Sequence, residues 1–495
     1  MTATAPLPTP ITRDLPASAD AVVIGSGPNG LVAAAALADA GWDVCVIEAQ
    51  DRIGGAVHSE VRHPGYVTDM FSAFYPLAAG SSIVQGLELE RHGLEWVHAP
   101  AVVAHPRRPE DDDCGVIHRR PEDTAAHLDT FHPGDGAAWL RLCEHWQLVR
   151  DPILGALFTP LPPVRDLVRL LRRTGVGDAL RLTRFASLPA QRMGHELFGS
   201  EQARLLLAGN ALHADVPFDA SGSGIFGWLL VMLAQDVGFP VPRGGAGELA
   251  HALARRAASS GAQVVVGQPV ETILVRGGKV SGVRTASGRI VRVRRAVIAD
   301  VTAPALYRKL LPEHVVPRRL LADLDRFEWD TPTVKVNFAL DGPIPWRAKS
   351  ARDAGTVHVG ADERGLIQWS ADLSTNDLPR HPFMLLGQMT TTDPTRSPAG
   401  TESAWAYTHL PRSLYDDASA ETLAARVDEV IEEYAPGFRD RIVWREVQRP
   451  SDLTAADANL VRGAVNAGTA QLHQQLIFRP LPGLGRPETV VAGLY

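Results

Sequence analysis

Three glycines and one glutamate carry the clearest chemistry in this chain. Gly25-Ser26-Gly27-Pro28-Asn29-Gly30 has the G-x-G-x-x-G spacing. In that spacing Gly25 permits a tight turn, Gly27 lets backbone approach a pyrophosphate, and Gly30 lets a helix pack closely on a strand. The free N–H groups at the start of the following helix, from Asn29 onward, offer an anion site. Glu48 stands about 20 residues further on, where a carboxylate accepts hydrogen bonds from an adenosine ribose and repels a 2′-phosphate. The glycine spacing alone recurs by chance, so its flanks decide what it means.

Those flanks are in register. Ala21-Val22-Val23-Ile24 is wholly apolar and predicts a parallel strand covered on both faces. Leu31 to Ala40 is rich in Ala and Leu, with Gly41 at the position of a helix C-cap. Val44-Cys45-Val46-Ile47 reads as a second buried strand, which makes a βαβ unit with the glycines in its first turn. A second pair, Gly54-Gly55, follows in "EAQDRIGGAVHSE" and would bring further backbone N–H groups to the phosphates. Glu48 does not separate FAD from NAD, because both contain an adenosine ribose.

At 495 residues the chain is too long for one simple core, and its 45% hydrophobic and 21% charged content describes a folded soluble protein. A net charge of -7 gives no electrostatic case for nucleic acid. Cys45, Cys114 and Cys143 form no C-x-x-C and no metal-ligand spacing. They exclude a disulfide scaffold and a zinc site and fit a reducing, cytoplasmic setting. Residues 1–19, with four prolines and no continuous apolar run, read as a disordered lead-in rather than a secretory signal. The run Ile225 to Ala234 is too short to span a bilayer and predicts a buried helix.

Residues 109–239 read as mostly helical, and residues 330–410 favour strands, with "TVKVNFAL" alternating around Lys335 and Asn337. "VRDLVRLLRRTGVGDALRLTRF" (164–185) is basic, with Val and Leu at helical spacing. Its stripe suits packing on its own domain or an interfacial helix at a membrane. "PEDDD" (109–113) reads as a solvated turn, and no metal site is expected. His58, Ser59 and His473 are polar candidates near a substrate, each with an equally ordinary structural use; no catalytic base is assigned. Gly244-Gly245-Ala246-Gly247 has the wrong spacing for a second dinucleotide turn, so no dedicated nicotinamide domain is expected.

With the blocks "PGYVTDMFSAFYPL", "LELERHGLEWV", "PRGGAGELAHALARRAASSGAQVVVGQPVETILVRGGKVSGVRTASG", "TTTDPTRSPAGTESAWAYTHLP" and "NAGTAQLHQQLIFRPLPGLG", the chain resembles the phytoene-desaturase-related FAD-dependent oxidoreductases, in the superfamily that includes amine oxidases. The resemblance implies FAD rather than NAD, and an α/β fold. It implies a Rossmann-like FAD-binding domain over 20–108, 240–312 and 478–495, and a discontinuous sheet-plus-helix substrate domain over 109–239 and 313–477. It places the backbone of Val270 beside the adenine. Amine oxidases typically carry Arg at the positions of Gln50 and Ala56, so phosphate and flavin contacts here rely more on backbone N–H, and an amine substrate is disfavoured. The implied activity is desaturation or saturation of a C–C bond in an apolar, isoprenoid-like substrate. The alternatives are C–N oxidation and a flavin-binding or flavin-less interaction protein. Relatives continue beyond Thr489–Tyr495 through a glycine-rich turn into a final helix that faces the flavin. This resemblance leads to the expectation that the 495-residue form binds FAD weakly and exposes apolar surface to a protein partner or a second copy.

Overall fold

The structure, a computed structural model, describes residues 9–495. In chain order the strands are β1 (Ile11–Thr12), β2 (Ser18–Ile24), β3 (Val44–Ile47), β4 (Ser59–His63), β5 (Tyr66–Asp69), β6 (Ala101–His105) and β7 (Gly115–His118). After a helical stretch come β8 (Gln263–Val265), β9 (Val270–Arg276), β10 (Lys279–Thr285) and β11 (Ile290–Ala299). The last group is β12 (Thr333–Leu340), β13 (Ala354–Val359), β14 (Met384–Gln388), β15 (Glu402–His409) and β16 (Ile442–Gln448).

Two seven-stranded sheets organise these strands, apart from β4 and β5, which pair with each other. The first runs β1-β8-β3-β2-β11-β10-β9, parallel from β1 to β11 and antiparallel beyond. Its central strands β2 and β3 are apolar on both faces because helices cover one side. Leu31, Ala34, Ala35 and Ala38 of α1 (Pro28–Asp39) pack there with Ala250, Leu253, Ala254 and Ala257 of a later helix, Gly247–Ser259. Near the chain's last residues, Val491 and Leu494 are buried in the core on the other side, and Tyr495 exchanges backbone hydrogen bonds with Val297 and Ala299.

The second sheet runs β16-β12-β15-β14-β13-β6-β7. Val334, Val336, Phe338 and Leu340 of β12 meet Ala420, Leu423, Val427 and Ile431 of the helix Asp417–Tyr434. On the opposite side, Trp405 of β15 packs with Leu205 and Ala208 of helix Glu201–Ala211 and with Trp369 of helix Glu363–Thr375. Between the sheets in sequence lies a helical block cored by Trp139, Trp146 and Trp228. It includes the helix Ser223–Asp236, mostly buried as the Ile225–Ala234 run predicts. No helix among the described residues is long and apolar enough to cross a membrane.

Three placements differ from the sequence reading. Of the lead-in, residues 1–8 lie outside the described residues, but Ile11–Thr12 is ordered as an edge strand paired with Val264–Val265. The β-branched pair satisfies an otherwise open sheet edge. Ala101–His105 pairs with β13, so the chain reaches the second sheet before residue 108; a short, fully buried strand suits either sheet, and its own pattern cannot choose. The third is β12, whose alternation around Lys335 and Asn337 leaves open which face meets water; every residue in it is buried.

The basic segment forms the helix Val164–Ser187, kinked at Gly175. Leu170, Leu182 and Phe185 pack on the helical core, whereas Val176 and Leu180 are 72% and 68% exposed. Arg165, Arg172, Arg181 and Arg184 are exposed around that outer face.

Candidate functional site

The glycine loop crosses from the carboxyl end of β2 to the start of α1, where open parallel sheets bind ligands. Gly25 sits at φ +99°, a left-handed turn that favours glycine, and its N–H donates to Ile47 O at 2.9 Å. A Cβ on Gly30 would collide with the Gly25 carbonyl oxygen and press on Val23, so only glycine lets α1 approach β2. Gly54 and Gly55 lie directly behind the loop. Gly54 N–H donates to Ser26 O at 3.1 Å, and a Cβ on Gly55 would stand 3.4 Å from Gly27 Cα.

Glu48 is buried and ties the loop down. One carboxylate oxygen accepts from Ser26 N at 2.9 Å and Ser26 Oγ at 2.8 Å, and the other accepts from Gln50 N at 2.9 Å. A carboxylate has about four acceptor positions. Three are in use, which leaves about one for a ribose hydroxyl rather than two. The carbonyls of Glu48 and Gln50 accept from Gln268 N and Gly267 N, which brings Val270, first residue of β9, beside this end of the sheet. The Gln50 side chain is exposed, and Ala56 O accepts from Ser72 Oγ.

The loop residues, Glu48, Gln50 and Gly54–Ala56 thus converge on one end of the first sheet. The polar candidates do not. Ser59 Oγ donates to Asp69 at 2.6 Å and accepts from Gly247 N, a structural junction. His58 faces Glu60 at 3.1 Å, with its imidazole held below the usual range by burial and by Arg52. His473 is exposed and bonds Glu328. The turn Gly244–Gly247 spends its amides on Asp393, Asp69 and Ser59. In "PEDDD", Asp111 pairs with Arg107, and among the described residues no cluster is arranged to hold a metal.

Sequence reasoning passed over several groups that the fold brings together. Asp300, at the end of β11, accepts from Gly30 N at 2.9 Å. Burial pushes its carboxyl above the ordinary range, and Asp457 and Glu48 add to the rise. At a separate junction, Arg396 bonds Asp69 and Asp393, each at 2.9 Å, with all three side chains fully buried. Lys335 donates to the backbone carbonyl of Asp69 and is brought down to about 7 by burial, against the pull of Asp69 and Glu446. A buried lysine near neutrality can hold or release a proton at working pH, which marks it as a functional candidate. Its only trace in sequence is one cation inside an apolar strand.

From Lys335 an aromatic row follows β15. Its Nζ lies 5.7 Å from the Trp405 ring centroid; Trp405 stacks on Tyr407 at 5.9 Å, and Tyr407 meets His409 at 5.7 Å. His409 lines a cavity of about 200 Å³, together with Leu212, Asp215, Trp369 and Arg412.

The sequence profile of the flavin-containing amine oxidoreductase family matches residues 29–494. The chain belongs to that family. It is an FAD-dependent oxidoreductase with the mixed α/β fold of that group. It is 27% identical over 531 residues to pyridine nucleotide-disulfide oxidoreductase domain-containing protein 2 of Rattus norvegicus, covering 96% of this chain and 89% of that protein. It is also 27% identical over 489 residues to a phytoene desaturase (lycopene-forming) of Pseudescherichia vulneris, covering 93% and 91%. Among solved structures, an oxidoreductase from Methanosarcina mazei superposes with a TM-score of 0.60 at 16% identity, covering 96% and 93%, a likeness of fold.

The glycine cradle suits FAD in this family because three positions where a side chain would intrude on backbone, Gly25, Gly30 and Gly54, are left bare. The rat protein's name mentions a disulfide, but all three cysteines here are unpaired, and burial pushes each thiol up to about 12. Thiolate chemistry has no candidate in this chain.

Proposed function

We propose that the protein removes or adds hydrogen across a C–C bond of an apolar, isoprenoid-like substrate. When bound, FAD supplies the hydride-accepting ring, and the protein supplies orientation and electrostatics. Gly25–Gly30 and Gly54–Gly55 hold the pyrophosphate, Glu48 the adenosine ribose, and the start of β9 at Val270 the adenine. The observation that carries the substrate reading is the aromatic row from Lys335 to the cavity at His409. Ring contacts of this kind favour a flat, extended substrate, and the carboxylate that lines the cavity, Asp215, is already held by Arg412 at 2.7 Å. Lys335 Nζ is the group placed to hold or give up a proton. The exposed face of helix Val164–Ser187, apolar with arginines around it, supports delivery from an anionic membrane surface.

The test uses holoprotein under anaerobic conditions, with a long-chain isoprenoid polyene in vesicles or a primary amine in solution. Bleaching of the flavin band by the polyene, faster from anionic than neutral vesicles, is expected. Bleaching by the amine alone would move the reading to C–N oxidation. Lys335→Met is expected to retain FAD and lower the rate by about 10²–10⁴, removing a pH step near 7.

A further inference from the structure

Helix α1 begins without a cap of its own. Gly27 at the N-cap has no side chain, and Pro28 at the first helical position has no N–H. The amide of Gly30 is capped in trans by Asp300 Oδ2 at 2.9 Å. That oxygen also stands 2.8 Å from where a Cβ on Gly27 would sit, so the carboxylate lies against the glycine expected to meet a pyrophosphate. Ser26 N is committed to Glu48. Only the amides of Gly27 and Asn29 then lack a hydrogen-bond partner in this loop among the described residues.

The charge around the loop is one-sided. Glu48 holds Ser26 from one direction. Asp457 approaches Gly55, with an oxygen 3.3 Å from the position of its Cβ, and faces Arg52. Asp300 bonds the Asn29 side chain and Gly30 N–H, and its backbone carbonyl accepts from Asn459. No cation bonds it among the described residues. A helix N-terminus carries roughly half a positive charge, and here a carboxylate has taken it.

We propose that Asp300 sets the affinity of this site for FAD: its carboxylate occupies the positive end of α1, and a pyrophosphate binds there only as Asp300 takes up a proton or withdraws. The inference rests on the glycine loop holding the pyrophosphate. Its balance is simple. One solvent proton converts the Asp300 carboxylate to a carboxylic acid as the cofactor's phosphates arrive, and no covalent bond of FAD changes. Burial with Glu48 and Asp457 already favours the protonated acid, and an incoming anion favours it further. The complex therefore binds more protons than the free protein, and affinity falls as pH rises.

The experiment is equilibrium titration of FAD-stripped protein with FAD, followed by flavin fluorescence between pH 5.5 and 8.5. Wild type is expected to bind progressively more weakly as pH rises. Asp300→Asn keeps an oxygen for Gly30 N–H and removes the charge. It is expected to bind about tenfold more tightly at pH 8, the equivalent of one pKa unit, with a flattened profile. Asp457→Asn is expected to move affinity in the same direction by less, and serves if Asp300→Asn fails to fold. A pH-independent wild type, or an Asp300→Asn protein that binds no more tightly, overturns the proposal. Gly27→Val separates the underlying placement: if it retains FAD the loop is not the phosphate site, whereas loss of FAD with no effect of Asp300→Asn defeats this inference alone.

Discussion

The glycine loop and the junction at Lys335 both gather carboxylates, and they dispose of the charge in opposite ways. At the junction, Asp69 and Asp393 face Arg396 and Lys335, and each aspartate also receives a backbone amide, from Ala246 and Gly244. Charge and hydrogen bonding close on themselves, locking the turn before helix Gly247–Ser259 to the second sheet. At the loop, Glu48, Asp300 and Asp457 face backbone amides, with Arg52 as the opposing cation. The first arrangement is complete without a ligand; the second holds unbalanced charge at the loop proposed to take the pyrophosphate.

Among single substitutions, breaking the junction is expected to have the largest effect. Arg396→Met leaves two buried aspartates without their cation, and removing one partner of such a network costs about 3–5 kcal/mol. Chemical denaturation of the apoprotein measures this directly. A loss under about 1 kcal/mol would mean that the junction's charges are not mutually compensated.

Acid is expected to move the loop and the second sheet, of which the junction is part, in opposite directions. Burial holds His105 at about 4 and His213 at about 3, below the ordinary 6.5, and His358 and His409 are shifted the same way. As pH falls below 6.5 the unfolded chain takes up protons first. The contribution of these histidines is therefore full above 6.5 and is lost toward pH 4, by about 1.4 kcal/mol per pH unit for each, opposed in part by Glu402, whose carboxyl burial raises to about 7. Asp300 has the opposite sign, so FAD binding should strengthen over the range in which the second sheet weakens. Denaturation midpoints and FAD dissociation constants at pH 7, 6 and 5 would show the divergence; parallel trends would erase the distinction.

The smallest of the three effects is local. Glu48→Ala removes the tether on Ser26 and Gln50 and one acceptor for the ribose, and charge-assisted bonds of this kind contribute about 1.5–3 kcal/mol. FAD titration should show weaker binding, against the tighter binding of Asp300→Asn. Equal shifts in one direction would mean that the loop responds to net charge alone.

Much of the first sheet was legible because its signals are local. Apolar strand, glycine turn, Ala-rich helix and second strand follow within one segment, so spacing alone orders them. The helical block and the long basic helix were legible from periodicity. Lys335 was not, because alternation in "TVKVNFAL" reports two chemically distinct faces without saying whether water reaches either. Helix Asp417–Tyr434 covers one face of β12, and Asp69 with Trp405 closes over Lys335 on the other. Nor could Ala101–His105 be assigned to a sheet, since five consecutive buried residues carry no partner preference.

What the sequence by itself determined is the dinucleotide loop, because backbone geometry over a few residues dictates where glycine is required. What only the tertiary structure decided is the charge that loop presents. Asp300 is 270 residues from the amide it caps, and Lys335 titrates near neutrality only after separate segments remove it from water. Burial and the identity of a long-range partner are properties of packing, and no local spacing encodes them.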